Sequence, residues 1–286
     1  MTRILVTGAT GFLGRHVCRA LADRGAIGVA RRGADVSADL LTEDGRAAVA
    51  ALAPEVAVLT AWVTEHGAYW EAPENDQWLA AMRDLVQRLR AAGTKRIVGV
   101  GSCAEYDWTA PALAVSDADE ARTPIRPATR YGQAKAALAG MLGPKDAWAR
   151  VFFSFGEGED PRRLVPSVIR AALAGKAAPL GPGTGWRCFL DSRDAGAAIA
   201  ALAVSGVTGP VNIGDGRPMQ IKELATRAAA TAGGPAVAVG ALPARTGEPE
   251  RLVASIVRLR REVGFRPAVS LEQGLADVVT WWRGQP

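Results

Sequence analysis

Apolar residues follow two rhythms along this chain of 286 residues. In the first half, short unbroken apolar runs alternate with longer alanine-rich stretches whose apolar positions recur every three or four residues. Unbroken β-branched and aliphatic runs predict strands covered on both faces, at residues 3–7, 27–31, 56–60, 96–101 and 149–153. The periodic stretches predict helices near 11–24, 42–53, 75–92 and 128–141. Strand and helix in alternation predict an α/β fold with a doubly wound parallel sheet, whose ligand sites lie at the C-terminal strand ends. Beyond residue 155 the pattern loosens. The Gly/Pro-rich turns "GEGEDPRR" and "LGPGTGWR" flank a predicted helix near 164–174. A helix near 194–204, a strand at 211–213 and helices near 221–232 and 271–283 follow.

Composition narrows the classes. With 49% apolar and 22% charged residues the chain buries a core and is not disordered. No apolar run approaches the length of a bilayer span, so no membrane partner is expected. The start of the chain lacks a basic-then-apolar secretory pattern. Cys18, Cys103 and Cys188 are scattered and odd in number, which predicts a reducing, cytoplasmic setting. His16 and His66 are the two histidines, which argues against a His-based metal site. The formal charge is +5, carried mostly by arginines spread along the whole length. No basic block is interleaved with aromatics, so a small anionic ligand is expected and nucleic acid is not.

The stretch "TGATGFLG" follows the first predicted strand and opens the first predicted helix. Gly8 permits a tight turn, Gly11 lets a pyrophosphate approach the backbone, and Gly14 lets helix and strand pack closely. The amides of the turn and the positive end of the helix then face the phosphates. The expected fold is therefore Rossmann-type, with residues 1–155 plus about 188–216 forming the dinucleotide-binding part. A smaller, mixed α/β substrate-binding part is expected from about 156–187 and 217–286.

The Thr-Gly-x-x-Gly-x-x-Gly spacing resembles the fingerprint of the extended short-chain dehydrogenase/reductase family, in its NAD-dependent epimerase/dehydratase branch. The likeness continues along the chain. "RYGQAK" carries Tyr131 and Lys135 at the family's Tyr-x-x-x-Lys spacing, and "GVGSCAEY" carries Ser102 four residues before Tyr106. "RVFFSFG", "GTGWRCFLDSRD", "VNIGDG" and "LRREVGFRP" look like later landmarks of the sugar-nucleotide members. The resemblance implies Ser102, Tyr131 and Lys135 as catalytic residues, with Lys135 also holding the nicotinamide ribose. It implies Gly8, Gly11, Phe12, Leu13, Gly14, Thr60, Ala61 and Tyr131 around the cofactor, and Asp39 and Leu40 against the adenine. For the substrate it points to Arg187 on a pyrophosphate and to Cys103 beside the site.

Residue chemistry supports several of these roles. Tyr131 and Lys135 lie one helical turn apart on one face. A free phenol has a pKa near 10 and is a poor catalyst at neutrality. An ammonium at about 4 Å, with an effective dielectric near 20, favours the phenolate by roughly 4 kcal/mol, which predicts an acidified Tyr131. Ser102 is placed to hydrogen-bond the same substrate oxygen. The second predicted strand ends in Ala30-Arg31-Arg32, where an NAD site usually has an acid. Arginines there suit a 2′-phosphate, so NADP(H) is favoured, while nearby Asp35 keeps NAD(H) as the alternative.

Within the family, dehydratases carry an Asp-Glu pair directly after the serine, where this chain has Cys103 and Ala104. An epimerase-reductase pairs a cysteine with a histidine; Cys103 is shifted by one from that cysteine's place, and "SFGEGED" offers no histidine. The expected reaction is therefore NADPH-dependent reduction of a keto-sugar nucleotide of the 4-keto-6-deoxyhexose type. The alternatives are an epimerase with tightly bound NAD, a non-catalytic NAD(P) sensor, and a reductase of small ketones or aldehydes. Arg162, Arg163, Arg245 and Arg251 are weaker candidates for substrate phosphates. Phe153 stands where many sugar-nucleotide members have asparagine, a departure in nucleotide recognition. Trp62, His66, Tyr69 and Trp70 either line a sugar pocket or anchor a loop. Trp281-Trp282 reads as helix packing. A homodimer through stretches 75–92 and 128–141 is what the family implies; apolar stripes alone are equally compatible with core.

Overall fold

The computed structural model describes residues 2–63, 65–244 and 247–285. Seven strands form the main sheet: β1 (Ile4–Thr7), β2 (Ile27–Ala30), β3 (Val36–Ser37), β4 (Val56–Leu59), β5 (Arg96–Ser102), β6 (Ala147–Val151) and β11 (Gly209–Ile213). Their order is β11-β6-β5-β4-β1-β2-β3, and every pairing is parallel. The order reverses between β1 and β4, the switch point where a doubly wound sheet opens a crevice at its C-terminal edge. The sequence-based fold class holds.

Side-chain alternation sorts the helices onto two faces. Val6, Val58, Val98 and Ala149 face α1 (Gly14–Ala20) and α6 (Ser192–Val204). Leu5, Ala57, Ile97 and Trp148 face α2 (Glu43–Ala51), α3 (Glu74–Ala91) and α4 (Arg130–Ala139). α1 and α6 approach so closely that a Cβ on Gly196 would lie 2.3 Å from the His16 Cβ. The apolar stripe of α3, with Met82, Leu85, Val86 and Leu89, is buried in this core. Its outward face carries Gln77, Arg83 and Gln87. The stripe that suggested a subunit interface is therefore occupied inside the chain.

The strand expected at 149–153 is two elements. β6 ends at Val151, and β7 (Phe153–Phe155) leaves the sheet to pair with β10 (Phe189–Asp191). The helix expected at 11–24 is shorter, because the glycine turn occupies its first residues and a 3-10 turn (Ala22–Arg24) closes it before Gly25 at φ +63°.

The remainder builds around α5 (Leu164–Leu173), α7 (Ile221–Ala232) and α9 (Leu271–Arg283), which share a second core with Phe155. Small sheets edge it: β8 (Pro179–Leu180) with β13 (Ala238–Val239), and β9 (Trp186–Arg187) between β12 (Met219–Gln220) and β14 (Arg251–Leu252). The segment Leu252–Leu259, which leads into α8 (Val257–Arg261), packs into the main-sheet core, although the sequence grouped it with the C-terminal part. Trp281 and Trp282 meet edge to face at 4.7 Å, with Arg170 over Trp282. No helix among the described residues is long and apolar enough to cross a membrane.

Candidate active site

The glycine turn sits at the switch point. Gly8 has φ +66°, and a Cβ there would meet Thr60 Oγ1 at 2.8 Å and the Ala61 amide at 2.9 Å. A Cβ on Gly14 would lie 2.0 Å from the Gly8 carbonyl oxygen. Gly11 donates its amide to that carbonyl at 2.9 Å and is otherwise exposed, so one side of the turn is open to a ligand. Thr60 donates to the Thr7 carbonyl and the Ala61 amide reaches Thr7 Oγ1, which fixes the β4 end beside the turn. Phe12 and Leu13 are half-buried at the entry to α1. A turn shaped by two sterically required glycines, with the third exposed, fits a dinucleotide pyrophosphate.

At the end of β2, Arg31 and Arg32 are both exposed. Ser37 Oγ donates to the Arg31 carbonyl at 2.8 Å. Asp35 does not stand at the strand end; its carboxylate accepts the Gly28 amide at 2.7 Å, beside the middle of β2. Leu40 is buried, and Asp39 accepts the Leu41 amide at 3.0 Å in the turn before α2.

Ser102, Tyr131 and Lys135 converge at the ends of β5 and α4. Thr129 caps α4 by accepting the Gly132 amide, which places Tyr131 in the first turn. The Ser102 hydroxyl lies beside the Tyr131 phenol. Tyr131 is boxed by rings: Tyr69 edge-on at 5.0 Å and Trp70 edge-on at 5.9 Å. Its amide donates to the Trp70 carbonyl. Burial pushes the phenol well above its ordinary pKa, and Tyr69 and Glu105 push it further. This corrects the expectation of an acidified tyrosine. Lys135 Nζ lies 5.8 Å from the centre of the Tyr131 ring. It donates to the Val100 carbonyl at 2.8 Å and lies 3.8 Å from the centre of the Trp62 ring. Burial pulls the amine down to about 7, against the attraction of Glu105. The site thus holds a protonated phenol beside an amine whose pKa burial lowers to about 7.

The loop of residues 62–73 is pinned by Asn75, which is fully buried. Asn75 accepts from Trp62 Nε1 at 2.8 Å and donates to the carbonyls of Tyr69 and Ala72. Trp62, Tyr69 and Trp70 therefore belong to the Tyr131–Lys135 site. His66 instead lies near Asp160, on the loop after β7.

Arg187 is buried, stacks 5.3 Å from the Phe153 ring, and donates to the Trp186 carbonyl. Its guanidinium acts on the Cys103 thiol, which links it to the Ser102 end of β5. Cys103 is buried and its thiol is pushed up to about 12 by that burial, so it is a packed, protonated side chain. Arg162 pairs with Asp160, Arg163 with Glu159 and Arg251 with Asp117. Arg245 lies outside the described residues.

Two features escaped the sequence reading. One is the Asn75 pin. The other is a buried polar cluster behind Ser102: Glu105 with Arg150 and Trp148, and Tyr106 donating to Asn212 Oδ1 at 2.8 Å. A glutamate and an arginine inside apolar strand-like stretches, "GSCAEY" and "AWARVFF", were the available signal.

The model of the NAD dependent epimerase/dehydratase family matches residues 4–214. The chain belongs to this family. Its members are nicotinamide-dependent enzymes of the extended short-chain dehydrogenase/reductase type, which agrees with the glycine turn and the Ser102–Tyr131–Lys135 grouping. The chain is 33% identical over 168 residues to a dTDP-glucose 4,6-dehydratase of Streptomyces griseus, a match covering 56% of this chain and 51% of the relative. It thus spans about half the length of that dehydratase. It is 26% identical over 321 residues to a dTDP-4-dehydro-6-deoxy-D-allose reductase of Streptomyces bikiniensis, covering 98% and 96%. The fold is shared with the UDP-glucose 4-epimerase of Thermus thermophilus solved with NAD, at TM-score 0.86, 24% identity and 99% coverage of both chains.

Proposed function

We propose that this family member reduces the keto group of a nucleotide-linked sugar with NADPH. The observation that carries the reading is the convergence of Ser102 and Lys135 on Tyr131, whose buried phenol keeps its proton. Such a phenol is a donor to a carbonyl oxygen as negative charge develops there, and Ser102 is placed to hydrogen-bond the same atom. Gly8, Gly11 and Gly14 would hold the pyrophosphate, Arg31 and Arg32 the 2′-phosphate, and Lys135 the nicotinamide ribose. When bound, the nicotinamide supplies the hydride. Trp62, which faces the Lys135 amine, has to share or yield that surface on cofactor binding.

Dehydration is disfavoured on this chain's own residues. The Cys103 thiol stays protonated, Ala104 has no acid, and Glu105 is fully engaged with Arg150 and Trp148. The engagement of Asp35 with the Gly28 amide supports the phosphate-bearing cofactor. Arg187, brought to the Cys103 side of the site, is the substrate-phosphate candidate. A homodimer and a cytoplasmic setting complete the proposal.

The test is nicotinamide absorbance with NADPH or NADH and a panel of 4-keto-6-deoxyhexose nucleotides. Net cofactor oxidation with NADPH preferred is the expected result. Interconversion of nucleotide hexoses without net oxidation, with NAD co-purifying, would establish the epimerase reading instead. Cofactor binding with neither activity would leave a sensor or a reductase of small ketones.

A further inference from the structure

Behind Ser102, Tyr131 and Lys135 lies a carboxylate with no assigned role. Glu105 is completely buried in the turn after β5. Its Oε1 accepts the Ser102 amide at 2.7 Å and Trp148 Nε1 at 2.9 Å. Its Oε2 accepts the same indole at 2.9 Å and Arg150 Nε at 2.9 Å. Arg150 is itself buried, stacks 4.5 Å from the Tyr106 ring and donates to the Tyr106 hydroxyl at 3.0 Å. The strand is built to admit this clamp. A Cβ on Gly101 would lie 2.1 Å from both Glu105 Oε1 and Trp148 Nε1, and one on Gly99 would lie 2.2 Å from the Trp148 ring.

A buried ion pair is not stabilising on general grounds, since an apolar replacement often does as well. This one is aimed at the site. Ser102 and Glu105 form a reciprocal box: the carboxylate takes the Ser102 amide, while Ser102 Oγ takes the Ala104 amide at 3.2 Å. We propose that Glu105 is a positioning residue: its carboxylate, clamped by Arg150 and Trp148, fixes the Ser102 end of β5 and holds a negative charge at the strand end whose Val100 carbonyl takes the Lys135 amine. The proposal rests on reading Ser102, Tyr131 and Lys135 as the reacting group.

The groups facing one another here come from four elements. Glu105 and Cys103 come from the turn after β5, Tyr131 and Lys135 from α4, Tyr69 from the 62–73 loop and Arg150 from β6. Of these, Glu105 opposes the discharge of Lys135 that burial favours, and it also opposes ionisation of Tyr131. Removing its charge should therefore release the Lys135 proton at lower pH.

Five lysines occur in the chain, at Lys95, Lys135, Lys145, Lys176 and Lys222, so a pH titration by NMR of the full chain with carbon-13-labelled lysine resolves them. Lys135→Met assigns the resonance. Wild type should show one lysine with a midpoint near 7. In Glu105→Gln that midpoint should fall by about one unit or more, a tenfold loss of proton affinity. In Glu105→Asp, which keeps the charge and alters the reach, it should stay near wild type even where thermal stability drops. An unmoved midpoint in Glu105→Gln, or an equal fall in Glu105→Asp, overturns the proposal. Should Glu105→Gln fail to fold with Arg150 left unpaired, the midpoint in Glu105→Gln/Arg150→Gln should lie below that in Arg150→Gln, where Glu105 keeps its charge, and equal midpoints in the two overturn the proposal. The titration needs no substrate. Absent keto reduction in a wild type whose Lys135 titrates as stated would count against the functional reading alone.

Discussion

At the end of β2, Arg31 and Arg32 stand in water on a loop tied back by the Ser37 hydroxyl. At the end of β5, Lys135 is 3% exposed, and Glu105 is fully enclosed. Both places present cations at the C-terminal edge of one sheet, yet they act by different physics. The exposed pair acts through screened, long-range charge and needs little fixed geometry. The buried group has lost its water, so each charge requires a placed partner, and proton affinities move far from their ordinary values. The exposed end is therefore open to change one residue at a time, while the buried end is coupled.

The sharpest attack on this contrast is Tyr131→Phe. It should cut kcat for keto reduction by about 10²–10⁴, with cofactor affinity and melting temperature close to wild type, as steady-state kinetics and calorimetry would read. Equal rates in both proteins would end the assignment of the buried end as the reacting end.

A second probe asks whether other buried groups near the glycine turn obey the same desolvation rule. His16 is buried against Ser192, and burial lowers its pKa to about 4. Above pH 6.5 both folded and unfolded chains carry it neutral, so its contribution is complete. As pH falls from 6.5 towards 4 the unfolded chain takes the proton first, and stability should drop by roughly 2–3 kcal/mol. Denaturant titrations across that window should show the slope, and His16→Gln should remove most of it.

The exposed end is tested by Arg31→Ser/Arg32→Ser. NADPH should bind about 10–100-fold more weakly and NADH almost unchanged, with the difference shrinking in high salt. Equal losses for both cofactors would mean that the arginines do not read the 2′-phosphate.

The same desolvation rule acts with opposite sign at Glu159, whose carboxyl burial pushes up to about 8, against the pull of Arg163. Below pH 4.5 both states hold the proton. Between 4.5 and 8 the unfolded chain ionises first and stability falls, and above 8 the penalty is constant. Glu159→Gln should therefore stabilise the protein by up to about 4 kcal/mol at pH 8 and leave it unchanged at pH 4. Thermal melts at the two pH values would decide it.

Much of the fold was legible because it depends on local pattern. Runs such as Ile4-Leu5-Val6 and Ile97-Val98 have covered faces on both sides, and the glycine spacing at 8, 11 and 14 is a steric requirement of one turn. The break between β6 and β7 was not legible, because Phe152 and its neighbours are apolar throughout and the division follows from pairing with β11 and then β10. At the site, Tyr131 and Lys135 were found by their spacing. Their charge states were misjudged, because spacing puts two residues on one helix face but says nothing about Trp62, Tyr69 or the Val100 carbonyl.

By itself the sequence determined the strand order's raw material, the phosphate turn and the identity of the proton-bearing groups. These follow from hydrophobic period, backbone freedom at glycine and side-chain chemistry, all of which are properties of near neighbours. Tertiary structure decided which proton each group holds. Desolvation and the charges of Glu105 and Arg150 come from segments distant in the chain, and electrostatic energy depends on separation in space and on excluded water rather than on order along the backbone.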